Sequence, residues 1–399
     1  MSDTQKHTKP NVPNLRFPGF EGEWVCNKLS TYLYENKERN RAGEFNKSDV
    51  LSVSGDSGIV NQIELLGRSF AGKSVADYHI VRTGNIVYTK SPLKEYPYGI
   101  VKYNSGNDGI VSTLYAVYHH RENVNGRFVE HYFTSPQRTN RYFKPIVRIG
   151  AKHDMKIGNS EVLDNTVVFP DLEEQNKITR LLDLLNQRIV TQNKVIEDLK
   201  KLKSAIEDRC FYQSKGESVR VSDILIERIE KSMRNNQHEV LSSTVSGIYT
   251  QRDYFNKEIA SADNTGYKVI RRGDIVLSPQ NLWMGNINYN DKFDIGIVSP
   301  SYKVFSINPM FNSRYVASLL KSKKALWEYS LVSEQGASIV RRNLSMDGFM
   351  EIAFSMPNKE EQNMIGDTIT TVNHKLELEN NILNDFNRQK FYLLNQLFI

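Results

Sequence analysis

One ten-residue phrase occurs twice in this chain. FPDLEEQNKI occupies residues 169–178, and MPNKEEQNMI occupies residues 356–365, with six identical positions. Pro357 follows Pro170 by 187 residues (357 − 170). Repetition at a fixed offset indicates that a chain is built from copies of one structural unit. The sequence is therefore constrained to an architecture with two similar halves.

The repetition extends well beyond this phrase. At nearly the same offset, VLSVSGDSGIVNQ (50–62) resembles VLSSTVSGIYTQ (240–251), YHIVRTGNIVY (78–88) resembles YKVIRRGDIVL (267–277), and GIVS recurs at 109–112 and 296–299. Each copy consists of a large segment of mixed character followed by a shorter, strongly periodic one. We interpret the chain as two tandem copies of this pair of segments.

The large segments have the pattern of an α/β fold with many strands. GNIVYT and GDIVLS are short apolar runs that begin at Gly-Asn or Gly-Asp turns, as strands often do. STLYAVYHH and SPSYKVFSI alternate apolar and polar residues, which favours strands with one buried face. The predicted fold class is α/β, with two tandem globular domains that are each followed by a long helix.

The short segments predict two long helices that pair. Pro170 and the acidic residues after it are typical of a helix start, because the helix dipole favours negative charge there. Polar residues interrupt both heptad stripes at matching places, Gln192 and Lys203 in one and Glu379 and Lys390 in the other. A coiled coil of this length would measure about 60 Å. The predicted seam residues are Ile178, Leu182, Leu185, Ile189, Ile196, Leu199, Ile365, Ile369, Val372, Leu376, Leu383 and Phe386.

These patterns predict five segments. They are a flexible tail at 1–14, a first globular domain at 15–170, a first long helix at 171–213, a second globular domain at 214–357 and a second long helix at 358–399.

Composition narrows the class of protein. The net charge is +6 and the isoelectric point about 9.0, and a basic surface attracts polyanions such as nucleic acid. No apolar stretch reaches the ~18 residues that a membrane helix needs. The only cysteines, Cys26 and Cys210, offer no metal-binding or disulfide framework. We expect a cytoplasmic protein with no membrane segment and no metal site.

One motif favours an enzyme. GRSFAGKS at 67–74 matches the Gly-x4-Gly-Lys-Ser pattern of phosphate-binding loops, with Lys73 in the place of the phosphate-binding lysine. Such a loop needs a buried strand before it and a helix after it. The second copy lacks both glycines at the corresponding place. A P-loop enzyme that acts on nucleic acid therefore stays an alternative.

Several loops combine basic, amide and aromatic side chains that suit nucleic acid. Arginine and lysine bind phosphates or guanine edges, amides read adenine, and aromatic rings pack on sugars. The candidate DNA-binding residues are Lys90, Lys94, Tyr96, Lys152, His153, Gln280, Asn281, Trp283, Arg341 and Arg342.

The doubled phrase, the two-copy layout, the TGNIV and RGDIV strands and the opening PNLRFPGFEGEW resemble the specificity subunit of type I restriction-modification enzymes, over about residues 14–399. The resemblance implies two target recognition domains that each read one half of a bipartite site in double-stranded DNA. It implies that the two helices pack antiparallel and fix the spacing of the half-sites. Two modification subunits and two restriction subunits would be partners.

The resemblance also implies a non-catalytic chain. Cofactors would be absent from it, and S-adenosylmethionine, ATP and Mg would bind to the partner subunits. The predicted docking residues for a partner present in two copies are Glu174, Gln175, Glu361 and Gln362, at the two junctions between domain and helix. A coiled-coil scaffold that joins two protein-binding modules is the remaining alternative.

Overall fold

The computed structural model describes residues 10–149, 155–255, 263–335 and 342–399. The chain divides into two compact units. Unit 1 comprises the chain up to Thr191 together with Leu383–Ile399, and unit 2 comprises Gln192–Ile382. Each unit therefore contains one large mixed segment and a part of each long helix.

In the residues that the structure describes, unit 1 is built from short strands and three short α-helices. The strands are β1 (Val25–Lys28), β2 (Leu33–Glu35), β3 (Leu51–Ser54), β4 (Gly58–Asn61), β5 (His79–Val81), β6 (Ile86–Thr89), β7 (Val101–Tyr103), β8 (Gly109–Val111), β9 (Tyr115–His120), β10 (Arg148–Ile149), β11 (Met155–Lys156) and β12 (Thr166–Phe169). The helices are α1 (Gln62–Leu66), α2 (Gly126–Phe133) and α3 (Pro136–Phe143), and helix α4 (Leu172–Tyr212) follows them.

Unit 2 repeats this order. Its strands are β13 (Glu217–Arg220), β14 (Leu225–Glu227), β15 (Leu241–Thr244), β16 (Gly247–Thr250), β17 (Lys268–Arg271), β18 (Asp274–Leu277), β19 (Ile287–Tyr289), β20 (Ile295–Val298), β21 (Lys303–Ile307), β22 (Ser333–Gln335), β23 (Arg342–Leu344) and β24 (Ala353–Met356). The helices are α5 (Val221–Ile224), α6 (Gln251–Phe255), α7 (Ser313–Leu320), α8 (Lys323–Leu331), α9 (Met346–Glu351) and α10 (Lys359–Gln396).

The sheets of the two units have the same topology. Unit 1 contains an antiparallel sheet in the order β2-β9-β6-β7, and unit 2 contains one in the order β14-β21-β18-β19. Four antiparallel pairs in unit 1 also have counterparts in unit 2: β1-β12 with β13-β24, β3-β4 with β15-β16, β5-β8 with β17-β20, and β10-β11 with β22-β23. The predicted α/β repeat is confirmed.

The repeated Gly-Asn and Gly-Asp dipeptides form matching turns. Gly84 and Gly273 both have φ of 94°, a left-handed conformation that glycine adopts without a side-chain clash. Strands β6 and β18 begin immediately after these turns, and both are buried along their length. The turn chemistry thus explains why this dipeptide recurs in the sequence.

Helices α4 and α10 pair in opposite directions. Helix α4 begins in unit 1 and ends in unit 2, whereas α10 begins in unit 2 and ends in unit 1. All twelve predicted seam residues are buried or half-buried. The predicted antiparallel coiled coil is confirmed, and the helix bounds lie within one to three residues of the predicted ones.

Each unit has a main core that includes one end of each long helix. In unit 1, Leu182 and Leu185 of α4 share a cluster with Leu393 and Leu394 of α10. In unit 2, Phe211 of α4 and Ile369 of α10 share the corresponding cluster. The helices are therefore structural parts of both units, and burial of apolar surface fixes them there.

Candidate nucleic-acid interface

Lys90 directly follows strand β6, and a hydrogen bond holds its ammonium group in place. Its Nζ donates to Asn159 Oδ1 at 2.6 Å, and Asn159 Nδ2 donates to Glu35 Oε1 at 2.8 Å. Burial lowers the pKa of Lys90. Burial also lowers the pKa of nearby His79 to about 4, and the charges of Arg39 and Lys90 contribute, so His79 is neutral at neutral pH. Lys90 thus brings positive charge to a preorganised position on the sheet.

The loop after Lys90 contains two further predicted residues in different surroundings. Lys94 is exposed, whereas Tyr96 is half-buried and its hydroxyl donates to the Thr134 carbonyl oxygen at 2.5 Å. Burial raises the pKa of the Tyr96 phenol. Gly99 closes the loop with φ of 87°, and a Cβ there would meet Thr89 O at 1.9 Å. Tyr96 thus joins the loop to the C-cap of α2 by a hydrogen bond, and Lys94 is the accessible cation of the loop.

In unit 2 the structure brings two predicted residues together. The guanidinium carbon of Arg342 lies 4.2 Å from the ring centroid of Trp283, a cation–π contact between residues far apart in sequence. Trp283 and Asn281 belong to the 3-10 helix Pro279–Met284, which ends at Gly285 with φ of 89°. Gln280 of the same helix is exposed. An amide, an indole and a guanidinium thus lie close together, and amide and guanidinium groups are chemically able to contact base edges.

Three predicted residues lie outside the described part of the chain. They are Lys152, His153 and Arg341.

Sequence reasoning missed a stack of polar rings in unit 1. Tyr34 and His119 are cross-strand neighbours whose rings stack at 5.1 Å, and Arg121 lies over Tyr34 at 5.1 Å. Asn85 Oδ1 accepts from Arg82 N and from Asn36 Nδ2, so its Nδ2 donates to His119 Nδ1 at 3.0 Å. Neutral His119 therefore carries its proton on Nε2. His119 and Arg121 lie 85 and 87 residues after Tyr34 (119 − 34 and 121 − 34), so no local sequence pattern marks this stack.

The glutamine of the doubled phrase joins helix and domain in each copy. Gln175 Oε1 accepts from the Asn125 main-chain N–H at 2.9 Å, and Gln175 Nε2 donates to Pro170 O at 2.9 Å. Gln362 makes the same two bonds to Asn312 and Pro357, both at 2.9 Å. Both glutamines are buried.

The asparagine of the phrase completes this junction. Asn125 Nδ2 donates to Asn176 Oδ1 at 2.8 Å, and Asn312 Nδ2 donates to Asn363 Oδ1 at 2.7 Å. Asn125 and Asn312 are the N-caps of α2 and α7. The phrase therefore holds the first turn of a long helix to a capping residue of the adjacent domain.

The glutamates of the phrase differ between the copies. Glu174 is buried, and it accepts two hydrogen bonds from Arg16, at 2.9 and 2.8 Å, and one from Trp24 Nε1 at 3.2 Å. Glu361 is exposed. Partner docking at these four positions stays a prediction, and Glu361 is the one with a side chain accessible to solvent.

The GRSFAGKS segment does not have the geometry of a phosphate-binding loop. It follows the short helix α1 and runs as an irregular loop to Tyr78, and Lys73 and Ser74 are exposed. A P-loop requires a helix that starts at the lysine, since its amides form the phosphate cradle. The structure therefore contradicts the P-loop alternative.

Within residues 10–149, 155–255, 263–335 and 342–399, no group of three or more His, Cys, Asp or Glu is placed to hold a metal ion. In the same ranges, the helices lack an apolar stretch that could cross a bilayer.

Neither a protein-family profile nor a curated protein matches this chain by sequence. Solved structures do match. The S subunit of a Type-I restriction-modification system from M. genitalium is similar over 97% of this chain and 99% of its own, with a TM-score of 0.59 and 14% identity. A chain from a structure of complex assembly and conformational transition in the type I R-M system is similar over 97% and 99%, with a TM-score of 0.52 and 12% identity. This chain has the fold of these subunits over nearly its whole length.

Proposed function

We propose that this chain is the DNA sequence-specificity subunit of a type I restriction-modification complex. The observation that carries the proposal is the shared fold along almost the entire length of both chains, including the duplication. The chain would read a bipartite target in double-stranded DNA and direct the methylation and cleavage that partner subunits perform. It would do no chemistry itself.

The differences between the two units suit two different half-sites. The ladder position that holds Tyr34 and His119 in β2-β9 holds Ile226 and Ser306 in β14-β21. The Trp283–Arg342 contact belongs to unit 2. One scaffold with different surface chemistry reads different bases, because sequence is read by side chains at base edges.

The matching junctions suit a partner in two copies. Two modification subunits, bound at equivalent places, would bring S-adenosylmethionine, and two restriction subunits would bring ATP and Mg. Equivalent surfaces on a duplicated chain let two copies of one partner bind in the same way.

Methylation mapping tests this function. The chain is expressed with its modification subunits, methylated adenines are mapped genome-wide, and the map is repeated without the gene for this chain. We expect methylation at one bipartite sequence only when the chain is present. An unchanged map, together with no binding of duplex DNA by the complex at ~0.1 M salt, would favour the coiled-coil scaffold instead.

The candidate surface of unit 2 gives a second readout. Trp283→Ala with Arg342→Ala is expected to relax or abolish one half-site and to leave the other unchanged. A loss of both half-sites would show that these residues support folding rather than reading.

A further inference from the structure

We propose that the loop Gly67–Ser74, called here the GKS loop, binds the sugar-phosphate backbone of duplex DNA and positions unit 1 on its half-site. The proposal rests on the function proposed above and assigns a role to the motif that does not form a nucleotide site. The loop carries Arg68 and Lys73 and contains no acidic residue.

The two cations of the GKS loop are free to meet an external anion. Among the residues that the structure describes, no carboxylate pairs with Arg68 or Lys73. Asp77, which follows the loop, lies 3.7 Å from Arg41, and Glu64, which precedes it, forms an ion pair with neither Arg68 nor Lys73. Unpaired cations on one loop favour a polyanion, and each phosphate contact releases counterions from DNA.

An exposed aromatic ring accompanies the cations. Phe70 is 58% exposed, and the guanidinium carbon of Arg68 lies 4.6 Å from its ring centroid. This stack orients the guanidinium and presents a flat apolar surface beside it. Apolar rings pack on deoxyribose, whereas free guanidinium edges bind phosphate, so the pair fits both parts of the DNA backbone.

Hydrogen bonds to Gln62 and Tyr78, one on each side of the GKS loop in sequence, hold the loop in place. The Phe70 N–H donates to Gln62 Oε1 at 2.6 Å, and the Gly72 N–H donates to the Tyr78 hydroxyl at 3.3 Å. Ala71 and Tyr78 pack on a buried cluster that includes Ile110. A loop that is ordered before binding loses less entropy when it binds.

Unit 2 places similar chemistry beside the equivalent hairpin. Lys292 lies 5.7 Å from the ring centroid of Tyr249 on β16, and that ring stacks on Tyr254 of α6 at 5.7 Å. Hairpin β15-β16 corresponds to β3-β4, which leads through α1 into the GKS loop. A cation on an aromatic face thus occurs near the same hairpin in each unit.

Salt-dependent DNA binding tests the proposal. The complex with modification subunits is titrated on a duplex with the mapped target and on a random duplex, from ~50 to ~200 mM salt. We expect Arg68→Ala with Lys73→Ala to weaken binding equally on both duplexes and to reduce the salt slope by about two, since each phosphate contributes roughly 0.9. Arg68→Lys with Lys73→Arg, which keeps both charges, should retain the slope.

The matched control removes two exposed lysines elsewhere, Lys144→Ala with Lys200→Ala, and should leave the slope nearly unchanged. An equal loss in this control, or an unchanged slope in the loop variant, would overturn the proposal. Weakening on the target duplex alone would also overturn it, because it would identify a base contact. If the unaltered complex binds no duplex, the proposed function itself fails.

Discussion

Gln192 Nε2 donates to the main-chain carbonyl oxygen of Glu379 at 2.9 Å and to its carboxylate at 2.5 Å, joining positions 187 residues apart. This separation equals the repeat offset, so corresponding positions of the two copies bind each other. The bonds to Lys375 and Gln192 hold the pKa of Glu379 below its ordinary value. The first polar interruption of one stripe thus pairs with the first polar interruption of the other inside the helix seam. Polar groups at such positions specify register.

A rescue experiment tests this pair. Gln192→Leu leaves the carboxylate of Glu379 in the seam without its amide donor and is expected to lower Tm. Replacing both residues by leucine should restore or exceed the original Tm, because loss of both polar partners costs far less than loss of one. Thermal unfolding of the three proteins measures this. A double variant that is less stable than Gln192→Leu alone would contradict the pairing.

The two glutamines of the doubled phrase should act independently. Gln175→Ala removes the acceptor for the Asn125 N–H, and Gln362→Ala removes the one for Asn312. A buried donor left unpaired costs about 1–3 kcal/mol. Hydrogen exchange should show faster opening in unit 1 for the first variant and in unit 2 for the second. Gln187→Ala, an exposed position on α4, is the control and should change neither unit.

Asp183 gives unit 1 an acid-sensitive contact. His131 Nε2 lies 2.9 Å from Asp183 Oδ1, and Arg127 donates to Oδ2 at 3.0 Å. Burial acts to raise the pKa of Asp183, but the bonds and charges of His131 and Arg127 outweigh it, so the pKa lies below 3.8. A carboxylate with a depressed pKa stabilises the fold above its unfolded pKa, and that stability is lost as pH falls through the folded pKa.

Asp183→Asn is therefore expected to lower the free energy of unfolding by about 1–3 kcal/mol at neutral pH. The difference from the unaltered protein should shrink as pH falls below 3.8, the ordinary carboxyl value. Denaturant titrations across pH measure it. Asp367→Asn breaks the exposed pair with Arg314 in unit 2 and should change the free energy by less than about 1 kcal/mol. A difference that is constant with pH would contradict the charge argument.

Helix length should set half-site spacing. Seven residues of heptad pattern are inserted after Gln192 and seven before Glu379, so that the paired helices lengthen together. Seven residues add about 10.5 Å at ~1.5 Å per residue, or about three base pairs. Methylation mapping should show the same half-sites separated by roughly three more base pairs. An altered half-site sequence would refute the idea that the helices act as a spacer.

Two kinds of sequence pattern predicted structure correctly, the periodic apolar stripes of the helices and the local residue pairs of the turns. The heptad stripes predicted the seam, and their breaks at Gln192 and Glu379 marked its polar pair, because periodicity reports directly which face of a helix is buried. The Gly-Asn and Gly-Asp turns predicted strands β6 and β18 because turn chemistry acts over a few residues.

The junction role of Gln175 was missed although a signal existed. Asn125 and Asn312 precede Gly-Arg-Phe-Val and Ser-Arg-Tyr-Val at the same 187-residue offset (312 − 125), so the repeat marks both partners. No comparable repeat in the sequence indicates the Trp283–Arg342 and Lys90–Asn159 contacts. They depend on how distant loops pack, and no spacing rule in one sequence encodes that.

The core of unit 1 has a consequence for synthesis. Leu397 and Phe398 are buried in it together with Phe128 and Phe169, and Arg138 donates to the Leu394 carbonyl oxygen at 2.8 Å. Leu383–Ile399 of unit 1 are synthesised after all of unit 2, which is one uninterrupted stretch of chain. Most of unit 1 is synthesised first, but part of its apolar core stays exposed until Leu383–Ile399 have been synthesised. Unit 1 can therefore complete its core only after unit 2 has been synthesised, whereas successive domains generally fold in the order of their synthesis.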